Sequence, residues 1–412
     1  MSGDDPKARP ELGCDEVGVK MVPEILEKVD PGTPARVVKL RHGGDQMLSV
    51  IALLGKRDTP TDGLEDYCTF LSAALQRRKV EAEKFRVNWH SQGWLRSLLQ
   101  LWRQASQWRG KWVLLQFTSL SWSRRGFPFA ALLVIRLVRD RGAYPAVVYH
   151  EPFGITGLRR IDRIRRACQE WTIRRIYDSA ALAILPDSLE TIPWLPKETS
   201  KAVFIPIGAN LPEPERSQRS VSPNGLPKTV AIYCLSDSPN RIREIHDISH
   251  AVQVVSQHKD RHLRVVFMGR GTPEAQHDID VAFRDVRAEV LNLGIQSAEE
   301  VSRILAAAHV MLCVRGRLFP RRGSALAGIT CGVPIIAYAG AASGPPLEDA
   351  GIEFVEHRNV QALARALDGI LSDQQRWQEM HIKNLLAHDK HFSWDAIAGK
   401  LIDALGRGKV SP

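Results

Sequence analysis

Residues 322–337 read RGSALAGITCGVPIIA, and this stretch decides how the rest of the chain is interpreted. A glycine near its start and the small residues after it predict a short, closely packed helix over 324–331 that ends at Gly332. The apolar run over 333–338 then predicts a buried strand. A helix followed at once by a buried strand is typical of an α/β protein with a parallel sheet. Gly323 would begin that helix, where backbone N–H groups lack partners within the helix.

On both sides of this stretch, apolar runs of strand length alternate with helical patterns. Strands are predicted at 48–54, 80–87, 112–117, 146–150, 181–185, 202–206, 230–235, 263–269, 286–293, 310–314, 333–338 and 352–355. The alternation predicts parallel strands joined by right-handed helical crossovers. It stops in a stretch rich in Pro, Ser and Arg near the middle of the chain and then starts again. The sequence therefore predicts an α/β fold with two Rossmann-like, doubly wound domains facing a cleft.

The bulk composition limits the class of protein. The chain has 412 residues, enough for two domains, and a formal net charge of +10 favours an anionic partner such as a nucleotide, nucleic acid or an acidic lipid surface. Its six cysteines include no C-x-x-C pair, which argues against a zinc or dithiol redox motif and favours buried free thiols. We find no Walker loop and no G-x-S-x-G elbow, so a P-loop ATPase or a serine hydrolase is not indicated.

The distribution of apolar residues bears on location. No apolar run approaches the roughly 18 residues needed to cross a bilayer. The first ten residues are polar and contain no apolar core of a signal peptide. We therefore expect a cytoplasmic protein, with peripheral contact at the inner face of the membrane as a further possibility.

Four motifs, in this order along the chain, resemble the retaining glycosyltransferases of family four, which have the GT-B fold. They are DGLEDY at 62–67, FMGRG at 267–271, the stretch 322–337 and HFSWD at 391–395. The resemblance extends from about residue 47 to residue 405. It implies a nucleoside diphosphate sugar as donor, a glycan or lipid-linked acceptor, transfer with retention, and no metal ion or other cofactor.

The resemblance and the composition together predict five segments. Residues 1–46 form a poorly ordered extension, and 47–212 form the acceptor domain. A linker covers 213–228, and 229–385 form the nucleotide-sugar domain. The resemblance implies that a C-terminal helix within 386–412 crosses back to the first domain.

Donor-binding candidates are the residues that could hold a diphosphate. A helix N-terminus offers free amides and the positive end of the helix dipole, and arginine adds fixed charge. The candidates are Arg241, Arg243, Gly269, Gly271, Arg322, Gly323, Ser324 and Ala325. The resemblance implies that an Arg and a Lys after the first strand of the second domain brace the diphosphate. The family's Gly-Arg pair is missing from the stretch 234–243, where Arg241 is the best positional substitute for the Lys and Arg243 is the next. A solvated surface is the alternative for Arg241 and Arg243, and a simple loop-to-helix turn is the alternative for Gly323.

Catalytic candidates follow a predicted strand. His150 and Glu151 come directly after the strand at 146–150, and the carboxyl ends of parallel strands face the ligand crevice. The resemblance implies that a histidine here contacts the donor sugar, whereas a structural histidine is the alternative. Glu151 could orient His150, contact an acceptor hydroxyl or only cap the loop. Asp62 and Gly63 are predicted to form the acceptor-side loop.

One departure from the family pattern bears on activity. Many members carry two glutamates separated by seven residues, and a gapless alignment places Phe319 and Ala327 at those positions. The chain is therefore either a divergent glycosyltransferase that binds its donor differently or a catalytically silent binding or scaffold protein with the same fold.

Two further segments fit either a structural role or contact with a membrane. Six of the ten tryptophans lie between Trp89 and Trp122, which fits either core packing or contact with a membrane interface. The segment 158–177 holds seven arginines, which fits a solvated helix face, a lipid phosphate or an anionic membrane surface. No nucleic-acid-binding signature occurs, so nucleic acid is not an expected partner.

Overall fold

The structure is a computed structural model that describes residues 48–58, 62–154, 159–215, 227–236, 240–257, 262–340 and 344–408. The extension predicted for 1–46 lies outside these residues, as does most of the linker predicted for 213–228.

The first half of the described chain forms a six-stranded, all-parallel sheet with the strand order β2-β1-β3-β4-β5-β6. Its strands are β1 (Ser49–Leu54), β2 (Glu81–Arg86), β3 (Trp112–Phe117), β4 (Tyr144–Tyr149), β5 (Leu182–Leu185) and β6 (Ala202–Phe204). Its helices are α1 (Gly63–Arg77), α2 (Trp89–Gln92), α3 (Trp94–Ala105), α4 (Ala130–Asp140) and α5 (Arg160–Ser179).

Successive residues of the strands pack on opposite faces of this sheet. Val50 and Ala52 belong to one core, which includes α1, whereas Ile51 and Leu53 belong to another, which α3, α4 and α5 cover. The strands β1, β3, β4 and β5 are buried on both sides, which is why they appear in the sequence as nearly continuous apolar runs. The edge strands β2 and β6 are only partly buried.

The second half forms another six-stranded parallel sheet, in the order β12-β11-β10-β7-β8-β9. Its strands are β7 (Lys228–Tyr233), β8 (Leu263–Met268), β9 (Glu289–Asn292), β10 (Val310–Cys313), β11 (Ile335–Tyr338) and β12 (Ile352–Val355). Its helices are α6 (Asn240–Ser256), α7 (Gln276–Ala282), α8 (Ala298–Ala306), α9 (Gly323–Cys331) and α10 (Val360–Ser372). The strand order reverses between β7 and β10, and such switch points form ligand crevices in open α/β sheets.

The end of the described chain packs against the first sheet. After α11 (Gln374–Ala387) and a π-helical turn (His388–Phe392), α12 (Trp394–Gly408) lies beside α1. Trp394 stacks on Phe70, and its indole N–H donates to the carbonyl of Ala209 at 2.9 Å. The apolar side of α12 completes the core on that face.

The α/β fold with two doubly wound sheets is confirmed, and the differences concern element limits. The helix expected near Trp94 to Trp108 is preceded by the separate short helix α2, because Gly93 adopts a φ of +80° between them. The strand expected over 286–293 is shorter, at Glu289–Asn292, and lies at the edge of its sheet. Among the described residues, no helix is both long enough and apolar enough to cross a bilayer.

Candidate functional site

A cleft of about 850 Å³ lies between the two sheets. The loops that follow β1, β3 and β4 form one wall, together with the start of α1. The loops that follow β7, β8 and β10 form the other wall, together with the start of α9. Every one of these segments follows the carboxyl end of a strand, because parallel strands present those ends at a single edge of the sheet.

His150 lines the cleft directly after β4. Its Nε2 lies 2.8 Å from the amide oxygen of Gln116, and its ring packs edge-on against Tyr67 with centroids 4.8 Å apart. Since an amide oxygen can only accept, Nε2 carries a proton and Nδ1 is left as the acceptor of a neutral ring. Burial lowers the pKa of His150 to about 4, because the charged form loses hydration. The imidazole is therefore neutral near pH 7.

Gln116 was not predicted from the sequence. It lies in β3, is fully buried, and donates its amide N–H to the carbonyl of Leu114 at 3.3 Å. That bond leaves the amide oxygen for His150. The signal in the sequence was a single polar residue in the apolar strand WVLLQF, because a buried polar side chain needs a hydrogen-bond partner.

Glu151 and Arg321 face each other across the cleft. Glu151 is exposed at the cleft, but partial desolvation by the surrounding protein raises the pKa of its carboxyl, and Arg321 acts in the opposite direction. The Arg321 guanidinium also bonds to Asp187, with 2.5 Å between Nη1 and Oδ2. Asp187 follows β5 and is almost completely buried. Arg321 thus joins the two sides of the cleft by an ion pair, a role that nothing near Asp187 in the sequence predicted.

The start of α9 presents a positive surface to the cleft. Gly323 and Ser324 line the cleft together with Arg322, Arg315 and Arg270. Within the part of the chain that the structure describes, the buried Nε of Arg322 has no hydrogen-bond partner, while its Nη2 donates to the carbonyl of Arg317 at 3.3 Å. Free amides at a helix start beside arginines suit an anion.

The backbone amide of Ala325 is not free to bind the diphosphate, although that was predicted for this residue. Its side chain is buried, and its amide already donates to the carbonyl of Arg322 at 3.0 Å. The candidate amides at this helix start are therefore those of Gly323 and Ser324, both of which line the cleft.

The structure separates the two arginines predicted after β7. Arg241 does not line the cleft, because its Nε bonds to Asp278 at 3.2 Å, in the direction of α7. Arg243 instead lines a neighbouring cavity of about 440 Å³, which shares Arg315, Phe319 and Arg322 with the cleft.

The two glycines after β8 shape a turn. Gly269 and Gly271 have φ values of +93° and +81°. A Cβ at Gly271 would lie 2.6 Å from the carbonyl oxygen of Leu235, so no larger residue fits there without displacing the backbone. Neither glycine lines the cleft, whereas Arg270, between them, does and comes within 4.0 Å of Asp58 on the opposite wall. Arg270 is therefore the functional candidate in this motif, although only the two glycines were predicted from the sequence.

Asp62 and Gly63 line the cleft at the start of α1, with most of their polar groups already engaged. Oδ1 of Asp62 accepts from the amides of Leu64 and Glu65, and Oδ2 pairs with Arg86 at 3.0 Å. The carbonyl of Gly63 accepts from the side chain of Asn210 at 2.9 Å. These bonds give the acceptor-side loop a defined position.

No protein-family model and no curated protein matches this sequence. Solved structures do match its fold. A glycosyltransferase from Rickettsia africae ESF-5 is 10% identical, with a TM-score of 0.59 over 89% of this chain and 100% of that one. HepE from Anabaena, in complex with UDP and glucose, is 14% identical, with a TM-score of 0.59 over 87% and 99%. Sucrose-phosphate synthase from Thermosynechococcus elongatus is 16% identical, with the same TM-score and coverage. The chain has the GT-B fold. Likeness at such identities shows the fold alone, and a fold does not by itself assign an activity.

Within this GT-B cleft, the two positions aligned with the family's glutamates differ in their surroundings. Phe319 lines the cleft, and the guanidinium groups of Arg321 and Arg322 lie 4.7 and 4.3 Å from the centre of its ring. Ala327 is buried within α9 and does not reach the cleft. An aromatic ring with two arginines thus occupies the place where the alignment expects a carboxylate.

Proposed function

We propose that the protein is a retaining glycosyltransferase of the family-four type. It moves a sugar from a nucleoside diphosphate sugar to a glycan or lipid-linked acceptor and requires no metal ion. The observation that carries the proposal is the arrangement of the cleft. A positive helix start on one wall faces a neutral histidine and a carboxyl group on the other wall.

The wall that contains the start of α9 binds the donor. The amides of Gly323 and Ser324 hold the diphosphate, and Arg322, Arg315 and Arg270 neutralise its charge. As the bond between the anomeric carbon and the diphosphate breaks, the same groups stabilise the negative charge on the leaving oxygen. Donors that are already in place when charge develops need little reorganisation, which is how such sites lower a barrier.

The opposite wall, which contains the start of α1 and the loop after β4, binds the sugar and the acceptor. His150 is held by Gln116 and Tyr67, so it meets the sugar as a neutral ring in a fixed orientation. Glu151 accepts a hydrogen bond from the acceptor hydroxyl. As the hydroxyl oxygen forms the new bond to the anomeric carbon, its proton passes to the Glu151 carboxylate. Arg321 holds this wall and the donor wall together through Asp187.

A transfer assay tests this proposal. The purified protein is incubated with UDP-, GDP- and ADP-sugars in the presence of a chelator and candidate glycan and lipid-linked acceptors, and the released nucleoside diphosphate is measured. We expect release that depends on the acceptor, and a product whose anomeric configuration by NMR matches that of the donor. A product of opposite configuration contradicts retention, and activity that returns only with added Mg²⁺ or Mn²⁺ contradicts the metal-free reaction.

The second candidate is a catalytically silent binding protein. The specific observation in its favour is the replacement of both expected carboxylates by Phe319 and Ala327. A nucleotide sugar that binds but is not turned over with any acceptor would support this candidate over the transferase.

A further inference from the structure

The helices α3, α4 and α5 lie side by side over one face of the first sheet, with α4 in the middle. Their inner sides are completely buried, as at Leu101, Val134 and Ile173. We call the solvent side of these three helices the outer helical face. It carries an unusual number of large apolar side chains.

Eight of the seventeen exposed large apolar side chains in the described residues lie on the outer helical face, among them Leu95 at 88% exposure. The eight are Leu95, Leu99 and Trp102 on α3, Phe129 and Leu133 at the start of α4, and Ile161, Ile164 and Trp171 on α5. Monomeric proteins expose single apolar residues routinely, but a concentration of this kind marks an interaction site.

The eight side chains form stripes at helical spacing. On α3 they recur at intervals of four and three residues, and on α4 at an interval of four, so each set lies along one side of its helix. Phe129 meets Trp171 with ring centroids 6.0 Å apart, which joins the stripes of α4 and α5. Trp102 is held under the guanidinium of Arg141, 3.5 Å from the ring centre.

The charge of these helices identifies the partner. Together they carry ten arginines, no lysine and four carboxylates. Each carboxylate already lies within 4 Å of an arginine nitrogen, as Asp162 does with Arg165 and Glu170 with Arg166. An excess of arginine remains around the apolar stripes. Leucine, isoleucine and tryptophan among arginines fit a lipid interface, where apolar side chains enter the acyl boundary and arginine meets phosphate. A nucleic acid would leave the aliphatic side chains without a partner.

The position of the stripes relates them to the cleft. In a parallel sheet, each of these helices begins at the carboxyl edge of the strand before it, which is the edge that carries the cleft. Six of the eight apolar side chains lie in the first half of their helix or just before it. The apolar surface is therefore concentrated toward the cleft end of the face.

We propose that the outer helical face binds the surface of an anionic lipid bilayer, with the apolar stripes inserted at the interface and the cleft end nearest the membrane. Membrane binding itself does not depend on the proposed transferase activity. A further consequence, that the acceptor is a lipid-linked molecule presented at the bilayer, does rest on the proposed function.

The test is co-sedimentation of the full chain with vesicles. Vesicles of equal parts phosphatidylcholine and phosphatidylglycerol are compared with vesicles of phosphatidylcholine alone. The variant Leu95→Gln/Leu133→Gln removes two exposed apolar side chains from the face. Its matched control, Ile382→Gln/Leu386→Gln, removes two from α11, where they are 54% and 63% exposed. All four positions are exposed, so both variants should keep the fold, which thermal unfolding verifies.

We expect the wild type and the control to bind the anionic vesicles and to release at high salt. The face variant should bind roughly tenfold or more weakly, because two aliphatic side chains no longer leave water. Equal binding by the two variants, or no wild-type binding to anionic vesicles, overturns the proposal. A wild-type dimer that the face variant dissociates, without vesicle binding, assigns the face to a second copy instead. Nucleotide binding measured without lipid reports on the donor site separately, so the two proposals can fail independently.

Discussion

Asp187 and Arg321 form an ion pair, 2.5 Å between Oδ2 and Nη1, that links the end of β5 to the loop before α9. Only 3% of the Asp187 side chain is exposed, and the protein raises the pKa of its carboxyl by desolvation, while Arg321 opposes that rise. The pair joins two parts of the chain that are 134 residues apart in sequence. It therefore links the two sides of the cleft directly.

Arg321→Ala should destabilise the protein by about 3 kcal/mol, because it leaves a buried carboxylate without its cation. The matched control is Arg77→Ala. It breaks the pair with Asp395, which also joins distant segments but is more than half exposed on both sides. The control should lose no more than about 1 kcal/mol. Denaturant unfolding measures both, and similar losses would show that burial of Asp187 has no energetic consequence.

The pH dependence of stability should carry a contribution from His150. Its pKa is lowered from 6.5 to about 4 in the folded chain, so between these values the unfolded chain binds more protons. The free energy of unfolding must then fall as the pH falls through this window, by at most about 3 kcal/mol from this residue. His150→Gln should flatten the dependence measured by denaturant unfolding across the window. An unchanged slope would mean that His150 is as hydrated in the folded chain as in the unfolded one.

Donor binding should distinguish Arg322 from Arg241, which were both predicted from the sequence to bind the donor. Arg322→Ala removes a cation from the cleft and should weaken nucleoside diphosphate binding roughly tenfold to hundredfold. Arg241→Ala is the matched control, since Arg241 pairs with Asp278 outside the cleft. The control should leave the affinity unchanged. Isothermal titration measures the affinity of both variants. A larger loss of affinity in Arg241→Ala than in Arg322→Ala would place the diphosphate beside α6.

The turn that carries Arg270 should tolerate no side chain at Gly271. Gly271→Ala must adopt a positive φ and place its Cβ 2.6 Å from a backbone oxygen, so we expect a loss of more than about 2 kcal/mol. Gly316→Ala is the control, because that glycine also has a positive φ but has open space around it. It should lose about 1 kcal/mol. Equal losses by thermal unfolding would show that the turn relaxes around the added methyl group.

The sequence predicted the strands well because buried parallel strands leave a direct signal. The run at 112–117 is almost entirely apolar, and the structure buries it on both sides. Gly323 and Ser324 could also be placed, since a helix that follows a strand starts at the cleft edge. The hydrogen-bond and ion-pair partners of individual side chains could not be predicted in this way. Arg241 and Arg322 look alike in sequence, and only the packing of α7 shows that one of them is already paired.

Asp187 illustrates the same limit. Nothing in its neighbourhood in the sequence marks it, because its partner Arg321 lies on the other sheet's side of the cleft. Gln116 left a weak signal, a polar residue in an apolar strand, but its role depends on the orientation of His150. The Asp187–Arg321 pair forms where two domains approach each other, and the Gln116–His150 pair forms where β3 and β4 lie side by side. Periodicity and composition describe neither arrangement.

The most direct test of the central claim, a nucleotide-sugar site at the start of α9, is thermal unfolding of the wild type with UDP, GDP, ADP and their sugar conjugates. We expect one base to stabilise the protein selectively, by about 2.7 kcal/mol when the ligand is present at about 100 times its dissociation constant. Loss of that stabilisation in Arg322→Ala would locate the site. If no nucleotide changes the unfolding of the wild type at any concentration, the cleft does not bind a nucleotide-sugar donor and the account is contradicted.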